Sequence, residues 1–233
     1  MHLARRALVA VILVLGLNSP ARAITPGLFN SIEFKAESLA ALPQWQRVLD
    51  RIQAERETYR ACMQESTACP TRSVMVWQGM IRRQIGRARI HQVRAVNRFL
   101  NDWRYRADTH NWGQRDYWAT PLEFLRFSGD CEDYAIAKYV TLRQLGFAAE
   151  QLRMVVVQDV SRNIAHAVLA VYLDDEVYIL DNLSRTVLRQ HQVEHYVPYY
   201  SINETTRWAH VRPVEATVTA QAERTAPSAK PVR

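Results

Sequence analysis

Three side chains of types that cooperate in acyl transfer are spread through the second half of the 233-residue chain: Cys131, His166 and Asp181. A thiol becomes a nucleophile when a base takes its proton, and a third group keeps that base oriented. Cys131 lies in Gly129-Asp130-Cys131-Glu132-Asp133-Tyr134. The run that follows carries Ala135, Ile136, Tyr139, Val140, Leu142 and Leu145 at near-helical spacing. Asp130 suits an N-cap, and Gly146 suits the left-handed residue that closes a helix. The spacing therefore puts Cys131 at the first helical position, where aligned peptide dipoles favour a thiolate.

The neighbouring acids work against this. Asp130, Glu132 and Asp133 lie within two residues of the sulfur, and nearby negative charge holds a thiol protonated. Something positive must compensate: a histidine, a bound cation, or both. Clustered oxygen ligands suit a hard cation such as Ca²⁺. Taken alone, the stretch is equally consistent with a capped helix, an inert buried cysteine and a solvated acidic turn.

Seven histidines are available as the base. His2 lies in the first 23 residues, which read as a signal, and His91 and His110 precede the cysteine helix. His166 opens a β-like run, Ala165 to Leu173, and Asp181 closes another, Val177 to Leu180. If Asp174-Asp175 is a two-residue loop, Leu173 faces Glu176, His166 faces Leu183, and Asp181 faces Val168. His166, Val168, Asp181 and Leu183 then share one face, with His166 and Asp181 as diagonal neighbours. A three-residue loop would separate them.

The elements that must hold these residues are legible in outline. Residues 24–42 read as irregular. Pro43 opens a helix with Trp45, Val48, Leu49 and Ile52 on one stripe. Further helices are predicted from Ser73 to Ile85 and from Arg87 to Trp103. Arginines 82, 83, 87, 89, 94 and 98 decorate them, as a solvated basic face or a docking surface for an acidic partner. Asp108 to Tyr117 reads as a loop. Thr120-Pro121-Leu122-Glu123 is a capping box that opens a short helix to Phe127. Arg153 to Gln158 reads as a strand, and Tyr196 to Trp208 as an irregular covering segment.

At this point a family resemblance emerges. Asp116-to-Leu125, Gly129-to-Tyr139, His166-Ala-Val-Leu and Leu180-Asp-Asn-Leu183 resemble the bacterial transglutaminase-like cysteine proteinases, over most of the chain from Leu28 to about Trp208. The resemblance implies an α+β fold with a papain-like or transglutaminase-like core, its N-terminal helices packed on an antiparallel sheet. It implies Cys131 as nucleophile, His166 as general base, Asp181 as orienter, and Ca²⁺ held by Asp130, Glu132 and Asp133. Members cut a large surface adhesin near its N-terminus, at a pair of alanines. They are restrained by an inner-membrane cyclic di-GMP receptor. A periplasmic, calcium-dependent endopeptidase that releases an adhesin and disperses biofilm is thus the expectation. The same triad could instead run acyl transfer to an amine, and the fold could serve as a calcium-dependent binding module without turnover. The Cys131 backbone N–H is one candidate oxyanion donor, and Trp118 is considered as a second.

The ends of the chain bear on compartment. Arg5 and Arg6, the apolar run from Ala7 to Leu17, and Ala21-Arg22-Ala23 form a signal-peptide pattern over residues 1–23. Without those residues the formal charge falls from +7 to +4, which does not argue for nucleic acid. One domain is expected over 24–213, followed by a disordered tail over 214–233 rich in Ala, Thr, Pro and Ser. In an oxidising compartment Cys62 and Cys69 are near enough to pair, leaving Cys131 free. On one helix they could instead point apart. His191-Gln-Val-Glu194-His195 matches an inverted zinc-protease pattern, which needs a helix that its surroundings do not favour.

Overall fold

The computed structural model describes residues 27–213; the predicted leader and C-terminal tail lie outside them. In chain order the elements are β1 (Ile32–Ala36), α1 (Pro43–Gln64), α2 (Arg72–Gln84), α3 (Arg89–Leu100), the single turn α4 (Asp108–Asn111), α5 (Pro121–Phe127) and α6 (Cys131–Gln144). Then come β2 (Leu152–Asp159), β3 (Ile164–Leu173), β4 (Glu176–Leu180), β5 (Leu188–Arg189), β6 (Tyr196–Ile202) and β7 (Arg207–Val211). The strands form one antiparallel sheet in the order β1-β7-β6-β2-β3-β4-β5. Among the described residues no helix is long and apolar enough to cross a membrane.

Helix α6 is the centre of the molecule. Every residue from Asp133 to Leu142 is buried, so it is enclosed on all sides, unlike a surface helix with one apolar stripe. Its neighbours in the main core are Trp45 and Val48 of α1, Trp77 and Ile81 of α2, Val93, Val96 and Leu100 of α3, and Phe124 of α5. The sheet adds Leu152, Met154, Leu169, Val171, Leu180 and Ile202. The alternate residues Val155, Val157, Val168, Ala170 and Ile179 pack on the other face of the sheet, with Leu28, Val193 and Tyr196. Two buried indoles lock the layers: Trp77 Nε1 donates to Thr141 Oγ1 (2.9 Å) and Trp45 Nε1 to Asn203 O (2.8 Å).

Several expectations are met. The capping box at Thr120–Glu123 forms and Pro121 opens α5. Gly146 closes α6 at φ +85°, a backbone state that disfavours side chains. Cys62 and Cys69 are joined in a disulfide, and Cys131 is the free cysteine. Not all of the arginine stripe is solvated. Arg82 donates to the Cys62 and Met63 carbonyls at the end of α1. Arg89 donates to the Leu145 and Gly146 carbonyls while lying over the Phe147 ring. Both cations thus satisfy carbonyls at helix C-termini.

Three segments differ from their sequence reading. The expected loop from Asp108 to Tyr117 opens with the helical turn α4. Residues 24–42 contain a strand, β1, which pairs with β7. Tyr196 to Trp208 is not a covering segment; it supplies β6 and the start of β7, in the interior of the sheet. Pro198 lacks an N–H, which makes it unusual in an interior strand. The sheet accommodates it at a bulge, where the β2–β6 register shifts between Val156 and Val157 and Val157 meets Pro198.

Because α6 is packed all round, truncating it leaves a cavity that cannot collapse easily. Ile136 is 0% exposed. Ile136→Ala is expected to cost about 2–5 kcal/mol of unfolding free energy. Urea titration checks this, and a loss below ~1 kcal/mol would contradict the packing described here.

Candidate active site

The β3–β4 hairpin has the predicted two-residue loop. Leu173 faces Glu176 and Leu169 faces Leu180. Asp174 and Asp175 both have positive φ (51° and 61°), the backbone of the tight hairpin turn whose twist matches its strands. This register brings His166 and Asp181 together: His166 Nε2 lies 2.9 Å from Asp181 Oδ1. Both are nearly buried, at 4% and 9% exposure. Asp181 also accepts the Leu183 N–H at Oδ1 (2.9 Å) and the Tyr196 hydroxyl at Oδ2 (2.6 Å). Burial alone would raise the Asp181 pKa. Its bonds to His166, Tyr196 and Leu183 reverse that and hold it below the usual carboxylate value. With Nε2 on Asp181, the Nδ1 lone pair of a neutral His166 is left for a proton donor.

Cys131 is the first residue of α6, as predicted, and Asp130 is its N-cap. Helix α6 packs against β3, and the backbone N–H of Ala167, the residue after His166, lies near enough to the sulfur to favour its thiolate form. The thiol itself donates to Glu132 Oε2 at 3.1 Å. Burial, then the charge and hydrogen bond of Glu132 and the charge of Asp130, push the thiol well above its ordinary value. Burial and the acidic neighbours together therefore outweigh the helix start.

The acids form a larger cluster than the sequence suggested. Oxygens of Asp108, Asp116 and Glu132 approach within 4.8 Å of one another, as do those of Asp108, Asp130 and Asp133, and Asp130 and Glu132 likewise with the Cys131 sulfur. Asp108 and Asp116 come from the segment read as a plain loop; their spacing from Cys131 carried no motif. Burial, then neighbouring negative charge, raises the pKa of Asp130 to about 8. Burial raises Asp108 to about 6 despite a hydrogen bond from the Tyr117 N–H. Glu132 and Asp133 are raised too, burial again the largest cause. Asp108 Oδ1 and Asp130 Oδ1 are buried without a hydrogen-bond partner. Orphaned carboxylate oxygens among unneutralised acids fit a hard, oxygen-seeking cation such as Ca²⁺.

Asp133 has a different part from its neighbours. Its Oδ1 accepts the Ala119 N–H (2.6 Å) and its Oδ2 the Asp130 N–H (3.2 Å), so it ties the segment before α5 to the start of α6. Gly129 makes room for it: a Cβ there would lie 2.0 Å from Asp133 Oδ2. The Gly129 carbonyl accepts the Arg106 N–H (2.8 Å), which fastens the strand-like Tyr105 beside the loop. Trp118 is not a free oxyanion donor, since its Nε1 donates to Asp116 Oδ1 (2.8 Å). His191, Glu194 and His195 occupy a single 3₁₀ turn and the turn after it. They form no metal-binding group among the described residues. The zinc pattern therefore lacks its helix.

A cysteine at a helix start beside a strand-borne His–Asp pair is the arrangement of a papain-like or transglutaminase-like proteinase core. The chain belongs to the bacterial transglutaminase-like cysteine proteinases (BTLCP), whose family model matches residues 51–216. Among solved structures it is similar to Legionella pneumophila LapG, with 30% identity and a TM-score of 0.58 over 65% of this chain and 87% of that one. The EGTA-treated form of LapG matches at 30% identity and TM-score 0.58 over 65% and 84% of the two chains. The calcium-bound form matches at 31% and 0.55 over 69% and 86%. A search of curated proteins finds no match.

The carboxylates carry a pH prediction. Asp130 binds its proton more tightly folded than unfolded, its value moving from 3.8 to about 8. Its contribution to metal-free stability is thus complete below 3.8 and lost as the pH rises through about 8. Calcium is expected to raise the melting temperature more at pH 8 than at pH 5. Thermal unfolding with and without Ca²⁺ measures this, and equal increments at both pH values would show that these acids do not take the ion. Gly129→Ala is expected to displace Asp133 and abolish that calcium-dependent increment.

Proposed function

We propose that this chain is a periplasmic, calcium-dependent endopeptidase with Cys131 as nucleophile, His166 as general base and Asp181 as orienter. The observation that carries the reading is the His166 Nε2–Asp181 Oδ1 bond on β3, the strand against which the helix that carries Cys131 packs. His166 Nδ1 takes the thiol proton, and the sulfur attacks the scissile carbonyl. The carbon–nitrogen bond breaks as the imidazolium returns that proton to the leaving amine. Water, deprotonated by the same imidazole, then hydrolyses the thioester, and the proton goes back to the sulfur. Asp181 keeps the Nε2–H directed at itself and compensates the imidazolium charge.

Asp130, Glu132, Asp108 and Asp116 are the residues that would hold Ca²⁺, with Asp133 as the anchor of the loop that carries them. When bound, the ion supplies positive charge that cancels the acids now keeping Cys131 protonated. Glu132, freed from the thiol hydrogen, then no longer competes with His166 for it. The calcium-bound and EGTA-treated LapG structures support this reading.

On this reading, which rests on the sequence resemblance described above, the substrate is a large surface adhesin, cut near its N-terminus at a pair of alanines to promote biofilm dispersal, and the inhibitory partner is an inner-membrane cyclic di-GMP receptor.

Alkylation of Cys131 is expected to be faster with calcium than with a chelator; equal rates would remove the electrostatic role of the ion. Cys131→Ala is expected to abolish cleavage of a candidate adhesin encoded nearby, and retained cleavage would refute the nucleophile. Asp181→Asn would present an amide N–H to His166 Nε2 and enforce the wrong tautomer. A loss on the order of 10⁴ in kcat is expected, as when the aspartate of a serine-protease triad is changed in this way.

A further inference from the structure

The two oxygens of Asp181 are held differently. Oδ1 is shared by His166 Nε2 and the Leu183 N–H, whereas the partner of Oδ2 among the described residues is the hydroxyl of Tyr196, the buried first residue of β6. That hydroxyl donates at 2.6 Å. The last torsion of an aspartate is soft, so a carboxylate held by one oxygen can turn about it; a donor on the second oxygen fixes the plane. The Tyr196 ring also lies against the imidazole of His166, with centroids 5.7 Å apart and planes at 55°. Tyr196 thus touches both members of the pair.

The segment before β1 seats this tyrosine. Phe29 meets the Tyr196 ring nearly at right angles, with centroids 6.0 Å apart and planes at 83°. It does so from an uncommon backbone state: φ is 52° and ψ 41°, a left-handed conformation that bulky residues rarely adopt. Such a state persists only where its surroundings over-determine it. Here they do. The Gly27 N–H donates to Ser31 O (2.9 Å), the Ser31 N–H and hydroxyl both donate to Leu28 O (3.1 and 2.7 Å), and the Phe29 N–H donates to Gln190 Oε1 (3.3 Å). Because the Ser31 hydrogen is spent on Leu28, His210 Nδ1–H is the donor to Ser31 Oγ (2.7 Å). His210 Nε2 is then the acceptor for the Ser201 hydroxyl of β6 (2.9 Å). The turn is therefore fastened to the strand that begins with Tyr196.

We propose that Tyr196 is a positioning residue for the His166–Asp181 pair, and that the left-handed turn at Phe29 serves to seat it. This rests on the reading of His166 and Asp181 as base and orienter. Held at both oxygens, the carboxylate keeps Oδ1 on the His166 Nε2–H, and the ring keeps Nδ1 free for the thiol proton. The hydrogen bond from Tyr196 also takes up part of the carboxylate charge. Asp181 then stabilises the imidazolium less than it would without that donor, and the imidazolium gives its proton more readily to the leaving amine.

Burial, then the bond and charge of Asp181, raise the phenol pKa well above its ordinary value, so Tyr196 remains a donor across the working range. Other ionisable groups surround the pair. Asp159, Arg162 and His195 line a small cavity with Asp181 and Tyr196. Helix α6 brings Cys131 with its flanking acids, and the buried Lys138, whose charge acts with that of Asp181. Helix α3 brings the neutral Asn101 amide, which donates to the Asp181 carbonyl (2.7 Å), and β2 sets Val157 opposite His166. Removing the Tyr196 hydroxyl leaves all of these in place, so a change in His166 reports that hydroxyl alone.

The test uses the calcium-loaded full chain and Tyr196→Phe, which removes one oxygen and keeps the ring. A fall in kcat on the order of tenfold is expected, as for loss of a hydrogen bond to a charged group, with KM little changed. In the Cys131→Ala background the His166 ring is titrated by NMR with nitrogen-labelled histidine. Tyr196→Phe should raise its proton affinity by about threefold or more, half a pH unit, which loss of packing alone would not do. Phe29→Gly accepts the left-handed backbone but deletes the ring; it should move kcat and the titration in the same direction, whereas Phe29→Tyr should match the parent. Parent-like kcat with superimposable His166 titrations in Tyr196→Phe would overturn the positioning role. Parent-like values in Phe29→Gly would overturn the seating role. A shifted titration with cleavage surviving Cys131→Ala would instead sink the proteinase reading while the link from Tyr196 to His166 stands.

Discussion

Everything about the site follows from an excess of buried negative charge at the start of one helix. Cys131 is preceded by an aspartate and followed by a glutamate and an aspartate, and the fold adds Asp108 and Asp116. The dipole of α6 is equivalent to roughly half a positive charge at its first turn, and it acts on several carboxylates at once. It cannot neutralise them. The acids answer by keeping protons: Asp130 and Asp108 hold theirs at pH values where exposed carboxylates are ionised, and the thiol stays protonated and donates a hydrogen bond to Glu132. A divalent ion is the direct physical alternative to that protonation. Calcium and the reactivity of the sulfur are for that reason one electrostatic problem.

The geometry of the cluster depends on a carboxylate whose oxygens are already engaged. Both oxygens of Asp133 are committed to backbone N–H groups, one from Ala119 and one from Asp130. The bond to Ala119 fixes the segment that brings Trp118 and Asp116, and Trp118 in turn holds Asp116 through its indole N–H. The bond to Asp130 fixes the turn that presents Asp130 and Cys131. An absent side chain at Gly129 is what lets this carboxylate approach. Asp133 therefore anchors the loop on which the other acids stand while keeping its place in a candidate cation group with Asp108 and Asp130.

How far the site was legible in the sequence follows from which forces were local. The His166–Asp181 pair was readable because a two-residue loop leaves one antiparallel register, and side-chain alternation does the rest. The helix start at Cys131 was readable because capping residues act within one turn. Asp108 and Asp116 were not, because their approach to Glu132 is set by tertiary packing and by no spacing along the chain. Strand β6 was hidden by Pro198, whose missing N–H is tolerated only where a bulge interrupts the ladder. Strand β1 was hidden because Ile32–Ala36 is only half covered, with Phe34 59% exposed, and its pairing partner lies at the far end of the chain.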